Sequence, residues 1–154
     1  MSRTGFTLLE VMLVVVIIGV ITMVGIPKIK NAIQKTNVRS ARSAASTYVA
    51  TARQAAIQRG CRAVVHFSSG AAGTVWVTVC PRMSTTGSGT IDTIGVVSKI
   101  AKLYGVTLSE TRDSVVFDPR GMNIDPTTTM TVRFAGSMGT TDSIVVNQLG
   151  KVVH

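Results

Sequence analysis

Glu10 is the residue whose chemistry most constrains this sequence, because it is the only charged residue in a long apolar run. Residues 6–26 form that run of 21 residues, and all the others are uncharged. As a helix at about 1.5 Å per residue, the run is roughly 30 Å long, which matches the hydrocarbon core of a bilayer. The run therefore predicts a transmembrane helix. An ionised carboxylate inside it is unfavourable unless a cation or a water-lined cavity meets it.

The sequence offers Glu10 no cation within one helical turn. Arg3 is seven residues away, and Lys28 lies at the far end of the run. A cut between Gly5 and Phe6 would create a new α-amino group near Glu10, and a neighbouring copy could offer the same amine to this carboxylate. A buried pair of that kind would set the register between subunits. The alternative is a signal anchor that tolerates one acid near its end.

Cys61 and Cys80 are the next candidates for chemistry. They flank two predicted strands of one hairpin, and a disulfide between them would close a loop of about twenty residues. Two buried free thiols are the alternative. Together with His66 they lack a short chelating spacing, so no metal and no cofactor are predicted. Motifs for a nucleophile elbow, a zinc helix or a phosphate loop are missing as well, and we predict that the chain is not an enzyme.

Basic residues outnumber acidic ones by sixteen to seven, which gives a formal net charge of +9. Eight of the basic residues lie between Lys28 and Arg62, and no acid lies among them. Such a surface attracts lipid head groups near a membrane and phosphate chains farther out, although a solvated helix face has the same composition. Nucleic-acid binding is therefore an alternative function, with Arg59 and Arg62 as its candidate contacts in this stretch.

Periodicity predicts one long helix that continues beyond the apolar run. Small and apolar residues recur at spacings of three and four over residues 29–56, with polar residues between them. We expect the helix to continue to about Arg59 and to stop at Gly60. Pro27 lies inside it and is expected to bend its axis.

Beyond Gly60, β-branched runs separated by Gly, Pro and Asp predict strands. This order of elements predicts an α+β fold in which the long N-terminal helix packs on an antiparallel sheet. Residues 81–92 are expected to form an exposed, variable loop that faces partner subunits or substrate, and residues 94–104 fit either a strand pair or a short helix. The predicted strands are residues 62–67, 74–80, 106–108, 114–117, 130–134 and 143–146, with 150–154 as a short last one.

The N-terminal motif resembles the class III signal of type IV pilins and type II secretion pseudopilins. It consists of a short basic leader that ends in Gly5, then Phe6, then Glu10 at the fifth position after the glycine, and Gly19 and Pro27 farther along. The resemblance implies that a membrane-embedded prepilin peptidase cuts between Gly5 and Phe6 and methylates the new N-terminus. It also implies that Glu10 is the carboxylate of filament assembly.

The head is similar to the GspH/FimT branch of minor pseudopilins and minor pilins. The similarity rests on residues 115–121, on a Thr-rich strand, and on residues 147–152. DNA-binding members of that branch carry a Gly-Arg-x-Arg motif near the C-terminus. Here the matching stretch is Gly150, Lys151, Val152 and Val153, which keeps one cation and lacks the guanidinium fork. The resemblance makes Lys151 a third candidate contact, and a DNA-binding minor pilin of a DNA-uptake (competence) pilus is the alternative function that it implies.

Four segments are therefore predicted: a leader (1–5), a transmembrane helix (6–26), an amphipathic continuation (27–60) and a β-rich head (61–154). The resemblance implies a structural subunit of a type II secretion pseudopilus or a type IV pilus, assembled with other pilin or pseudopilin subunits. It also implies anchoring in the inner membrane with the head in the periplasm or outside the cell. The positive-inside rule alone, which counts Arg3 against Lys28, Lys30 and Lys35, would place the N-terminus outside the cytoplasm.

Overall fold

About a third of the chain is a single α-helix. The computed structural model describes residues 7–70, 72–80, 91–124 and 129–153. Helix α1 spans Leu8–Arg59 and ends, as predicted, at Gly60, which has a left-handed backbone with φ of 63°. Several sequence predictions lie outside the described residues: the leader 1–5, the cleavage site at Gly5 and Phe6, and most of the loop 81–92.

The buried face of α1 is built mainly from alanine. Small side chains let the sheets approach the helix closely, and the buried positions recur at three and four as an amphipathic helix requires. Pro27 lies within the continuous helix. Because proline has no backbone N–H, the carbonyl of Met23 loses its helical donor there, and the bend at Pro27 stays a prediction. The buried residues of α1 are Val38, Ala41, Ala45, Val49, Ala52, Ala55 and Ala56.

In the described residues, eight strands and a short second helix follow α1. Residues 94–104 do not form a strand pair, because one strand occupies the first of these residues, and the alternative of a short helix is right for the last of them. Asp92, which was expected to end the preceding loop, already belongs to a strand. The elements are β1 (Ala63–Ser68), β2 (Thr74–Val79), β3 (Asp92–Ser98), α2 (Ile100–Tyr104), β4 (Val106–Glu110), β5 (Ser114–Phe117), β6 (Met130–Gly136), β7 (Thr141–Val146) and β8 (Val152–Val153).

The strands form two antiparallel sheets, so the expectation of a single sheet is wrong. The first sheet has the order β3-β2-β1-β5 and the second has the order β4-β6-β7-β8. The chain changes sheets between β4 and β5, because β5 returns to pair with β1 whereas β4 pairs with β6. The alternation of apolar and polar residues within one strand does not indicate which distant strand it pairs with. Helix α1 contacts β1 and β2 of one sheet and β6 and β7 of the other.

The core lies between α1 and the inner faces of both sheets. Alternate residues of the strands point into it, among them Phe67, Phe117 and Phe134, which are fully buried. The two sheets meet near Gly73, where a Cβ atom would lie 2.7 Å from the Cβ of Ala101 and 2.9 Å from that of Leu108. Only glycine allows so close an approach of the hairpin to α2 and β4.

A disulfide between Cys61 and Cys80 connects the end of α1 to the end of β2. Cys61 follows the cap residue Gly60 directly, and its N–H donates to the carbonyl of Ala56 at 3.2 Å. The two Cα atoms are 6.1 Å apart, and Ala63 of β1 pairs with Val79 of β2 just inside the bridge. Antiparallel pairing of the hairpin therefore brings the cysteines together.

Loss of this disulfide is expected to destabilise the head. In the double variant Cys61→Ser/Cys80→Ser, the free energy of unfolding should fall by about 3 kcal/mol, because the unfolded chain is no longer constrained by a closed loop. Denaturant unfolding of the full chain in detergent, followed by fluorescence of Trp76, the single tryptophan, measures this change. A reductant should destabilise the wild-type protein equally and leave the double variant unaffected. Equal stability of both proteins without reductant would contradict the prediction.

Candidate assembly interface

The first half of α1 extends beyond the head. Val38 is the first buried residue of the helix, and none of the described residues before it is buried. The free part, residues 8–37, is about 45 Å long at about 1.5 Å per residue. The chain itself therefore does not cover the most apolar part of its sequence.

This free part is long and apolar enough to cross a membrane. Its most apolar window of 18 residues has a mean hydropathy of 2.8, and no residue of that window is buried. The hydroxyl of Thr22 donates to the carbonyls of Ile18 at 2.7 Å and Gly19 at 3.0 Å, so this polar group needs no partner outside the helix. In water such a surface would be unfavourable, and either lipid or other apolar helices must cover it.

Glu10 lies in the first turn of α1, where the geometry is fixed by Thr7. The backbone N–H of Glu10 donates to the Thr7 carbonyl at 3.1 Å and to its hydroxyl at 3.3 Å, so Thr7 is the N-cap. The carboxylate lies near the positive end of the helix dipole, which favours negative charge there. Glu10 is exposed, and no salt bridge among the described residues includes it. Its charge is therefore available to a second molecule.

Three lysines follow the apolar segment before the head covers the helix, and Arg39 lies next to Val38, the first buried residue. Lys28, Lys30, Lys35 and Arg39 are all exposed. Since they lie just beyond the predicted membrane-spanning segment, they can reach the lipid head groups on that side of the membrane. The structure thus places a cationic section of helix between the apolar half of α1 and the head.

Two other arginines of α1 are engaged within the head. Arg42 forms a salt bridge with Asp142 of β7 at 3.0 Å, and Arg59 forms one with Asp92 of β3 at 2.8 Å. The first pair connects α1 to the second sheet and the second pair connects it to the first sheet. Both pairs are partly exposed, so each contributes modestly to stability. Their positions indicate that they orient the helix between the sheets.

The three candidate nucleic-acid contacts lie in different settings. Arg59 is paired with Asp92, Arg62 is exposed just before β1, and Lys151 is exposed in the turn before β8 of the second sheet. The backbone N–H of Lys151 donates to Oδ1 of Asn147 at 2.8 Å, which holds the turn. One of the three cations is thus already neutralised, and DNA binding stays a prediction from net charge.

A stacked pair on the outer face of the first sheet was not predicted from the sequence. His66 of β1 lies directly opposite Trp76 of β2, with ring centroids 4.9 Å apart and an interplanar angle of 11°. Nε2 of His66 is 2.8 Å from the hydroxyl oxygen of Thr78, and burial lowers the pKa of His66 from 6.5. Strand alternation could have placed each ring on this face, but only the register makes them neighbours.

The lowered pKa of His66 predicts a loss of stability in acid. Above pH 6.5 the imidazole is neutral in both the folded and the unfolded chain. As the pH falls below that value, the unfolded chain binds the proton first, so stability decreases until the folded pKa is passed. Melting of the full chain at about pH 7.5 and about pH 5 should show a larger decrease for the wild type than for His66→Gln. His154→Gln is the matched control and should behave as the wild type; identical pH dependence in all three would contradict the prediction.

No metal centre is found in the described part of the chain, where no group of three or more His, Cys, Asp or Glu residues could hold an ion.

Comparisons with known proteins agree with this architecture. The sequence profile described as type II transport protein GspH matches residues 40–150, which begin within α1 beyond the apolar run. No curated protein sequence matches the chain significantly. A crystal structure of the type IV minor pilin FimU of Pseudomonas aeruginosa PAO1 has a TM-score of 0.59 at 13% identity, over 77% of this chain and 87% of that one.

A second crystal form of the same minor pilin has a TM-score of 0.51 at 14% identity, over 75% of this chain and 90% of that one. At these identities the likeness concerns the fold alone. The fold predicted from the sequence, a long N-terminal helix packed on an antiparallel β-rich head, is thereby confirmed as pilin-like.

Proposed function

Since the chain belongs to the family of type II transport protein GspH, whose members are pilin-like structural subunits, we propose that it is cleaved by prepilin peptidase between Gly5 and Phe6. The mature chain would then enter a type II secretion pseudopilus or a type IV pilus. The observation that supports this proposal is the free part of α1, which is about 45 Å of exposed helix that begins with an apolar segment and has one carboxylate near its start.

The apolar half of α1 requires two different environments in turn. Before assembly, the segment 6–26 would lie in the inner membrane, with the leader 1–5 in the cytoplasm and the head 61–154 on the other side. After assembly, the helices of neighbouring subunits would replace the lipid. Because lipid tails are as apolar as these side chains, the exchange itself has little hydrophobic driving force. Specific polar contacts must therefore decide whether and where a subunit enters.

Glu10 is the group best placed to supply such a contact. Its carboxylate is exposed in the first turn of α1, and cleavage before Phe6 would leave an α-amino group four residues away. In a low-dielectric environment, an uncompensated carboxylate is costly, and a neighbour's amine would remove that cost. The register between two helices would then be fixed by one ion pair. The cationic section 28–39 would lie between the packed helices and the heads.

The proposed cleavage has a direct chemical signature. In membranes of a host with its prepilin peptidase, we expect intact-mass and N-terminal analysis to find a chain that begins with N-methylated Phe6. In a host that lacks the peptidase, the chain should keep its leader. A chain that still begins at Met1 or Ser2 under both conditions would exclude pilin processing and favour a plain signal anchor.

Replacement of Glu10 should impair entry into the filament without affecting cleavage of the leader. We expect Glu10→Gln to be cleaved as the wild type but to be depleted about tenfold or more from the sheared filament fraction, since the buried amine loses its charged partner. The matched control is Asp113→Asn, which removes an exposed carboxylate of the head and should enter filaments normally. Normal incorporation of Glu10→Gln would contradict the assigned role.

A further inference from the structure

An exposed apolar hollow lies beside α1 in the described part of the head. It has a volume of about 540 Å³ and is lined by Tyr48, Val96, Val97, Lys99, Lys102 and Leu103; we call it the β3–α2 hollow. Val96 is 77% exposed and Leu103 is 69% exposed. Large apolar side chains clustered on a protein surface usually mark an interaction site.

The backbone of β3 leaves the apolar side chains of the hollow exposed and holds them beside α1. β3 is the edge strand of the first sheet, and its pairing with β2 shifts register between Ile94 and Ser98. Gly95 has a φ of 76°, which allows the strand to bulge there. The hydroxyl of Tyr48 donates to the carbonyl of Val96 at 3.1 Å, which holds the bulge against α1. The exposed valines are therefore positioned by the fold.

The hollow continues onto a stripe of α1. Tyr48 lines the hollow, and Ala44, Asn37 and Ile33 precede it at spacings of four, seven and four residues, which places all of them on one side of the helix. Ile33 belongs to the free half and is 52% exposed. A molecule seated in the hollow would thus lie alongside the same helix whose free half must be covered by other subunits.

The positive charge at the rim of the hollow favours an acidic binding partner. Lys99 and Lys102 border the hollow, and both are exposed. No acidic residue lies between Glu10 and Asp92 in the sequence, so α1 adds no negative charge beside them within the head. A partner is therefore favoured if it presents carboxylates around an apolar side chain.

A second copy of this chain fits that requirement poorly. Among the described acidic residues of the head, Asp92 and Asp142 are engaged with arginines of α1. Asp118 accepts the backbone N–H groups of Arg120 and Met122 in its own turn. Glu110 is partly buried, and Asp113 is exposed. Of these five described residues, Asp113 alone is exposed and outside an ion pair or a turn, and one carboxylate on a basic head does not complement two lysines.

We propose that the β3–α2 hollow docks a neighbouring filament subunit that is a different protein from this chain and that presents acidic residues to Lys99 and Lys102. The inference rests on the proposed function, because it names the kind of subunit that assembles beside this one. It also predicts an ordered position for this chain, next to an acidic neighbour.

Site-specific photocrosslinking in the native host tests the proposal with the full chain. The photoreactive residue p-benzoylphenylalanine replaces Val96 or Leu103, and Ser109 on the second sheet is the exposed control position. We expect adducts from the first two positions with another pilin-like subunit, identified by mass spectrometry, whose crosslinked region contains acidic residues. The control position should yield none with that subunit.

Charge reversal makes the test specific for the two lysines. The variant Lys99→Glu/Lys102→Glu should lower the yield of the adduct about tenfold or more, since attraction becomes repulsion. The matched variant Arg120→Glu/Arg133→Glu changes the net charge equally and should retain the adduct. Replacement of the partner's acidic residues by lysine should restore the adduct with the Lys99→Glu/Lys102→Glu chain.

Three results would overturn the inference: adducts with a second copy of this chain, adducts with lipid alone, or no adduct although the chain is present in the filament fraction. Failure of the proposed function looks different, because the chain would then keep its leader and be missing from that fraction altogether. Cleavage and fractionation are measured on the same samples, so the two failures are distinguishable.

Discussion

The structure depends on one constraint: α1 is much longer than the head that packs against it. A helix of 52 residues meets two sheets whose strands have at most seven residues each, so the head covers only the part of the helix from Val38 onward. The remainder is the most apolar part of the chain. This part of the helix must be covered by a bilayer or by other molecules. Coverage by the helices of neighbouring molecules is what a structural subunit of an assembly requires.

The covered half of α1 is adapted to hold two sheets at once. Its alanine face allows close approach on both sides, and one ion pair connects it to each sheet, Arg42 to Asp142 and Arg59 to Asp92. The disulfide at Cys61 fixes the point where the chain leaves the helix. Burial of small side chains contributes little area each, so the stability of the head depends on the strand residues that alternate into the core. The part of α1 from residue 38 to residue 59 and the two sheets therefore share one core.

Much of this arrangement is predictable from the sequence, because it follows from local patterns. The apolar run, the recurrence of small residues and Gly60 determine the helix and its end, and β-branched runs locate most strands. The division into two sheets, the stack of His66 on Trp76 and the pairing of Arg59 with Asp92 were not predictable, because each depends on which strands become neighbours. Residues 94–104 show the same limit: their composition allows both a strand and a helix, and the contacts of each half decide.

In the proposed assembly, Glu10 and the two lysines of the β3–α2 hollow would have different roles. Glu10 lies at the start of α1, where its charge is costly in any apolar surrounding, and in the proposed assembly its ion pair would set the register between helices. Lys99 and Lys102 lie on the head, where water screens charge and weak pairs discriminate among partners more than they stabilise them. A helix contact alone would accept any subunit of the family. The position of a particular subunit beside a particular neighbour would therefore be specified by the heads, and the proposed docking site, an apolar hollow with a basic rim next to the shared helix, meets that need.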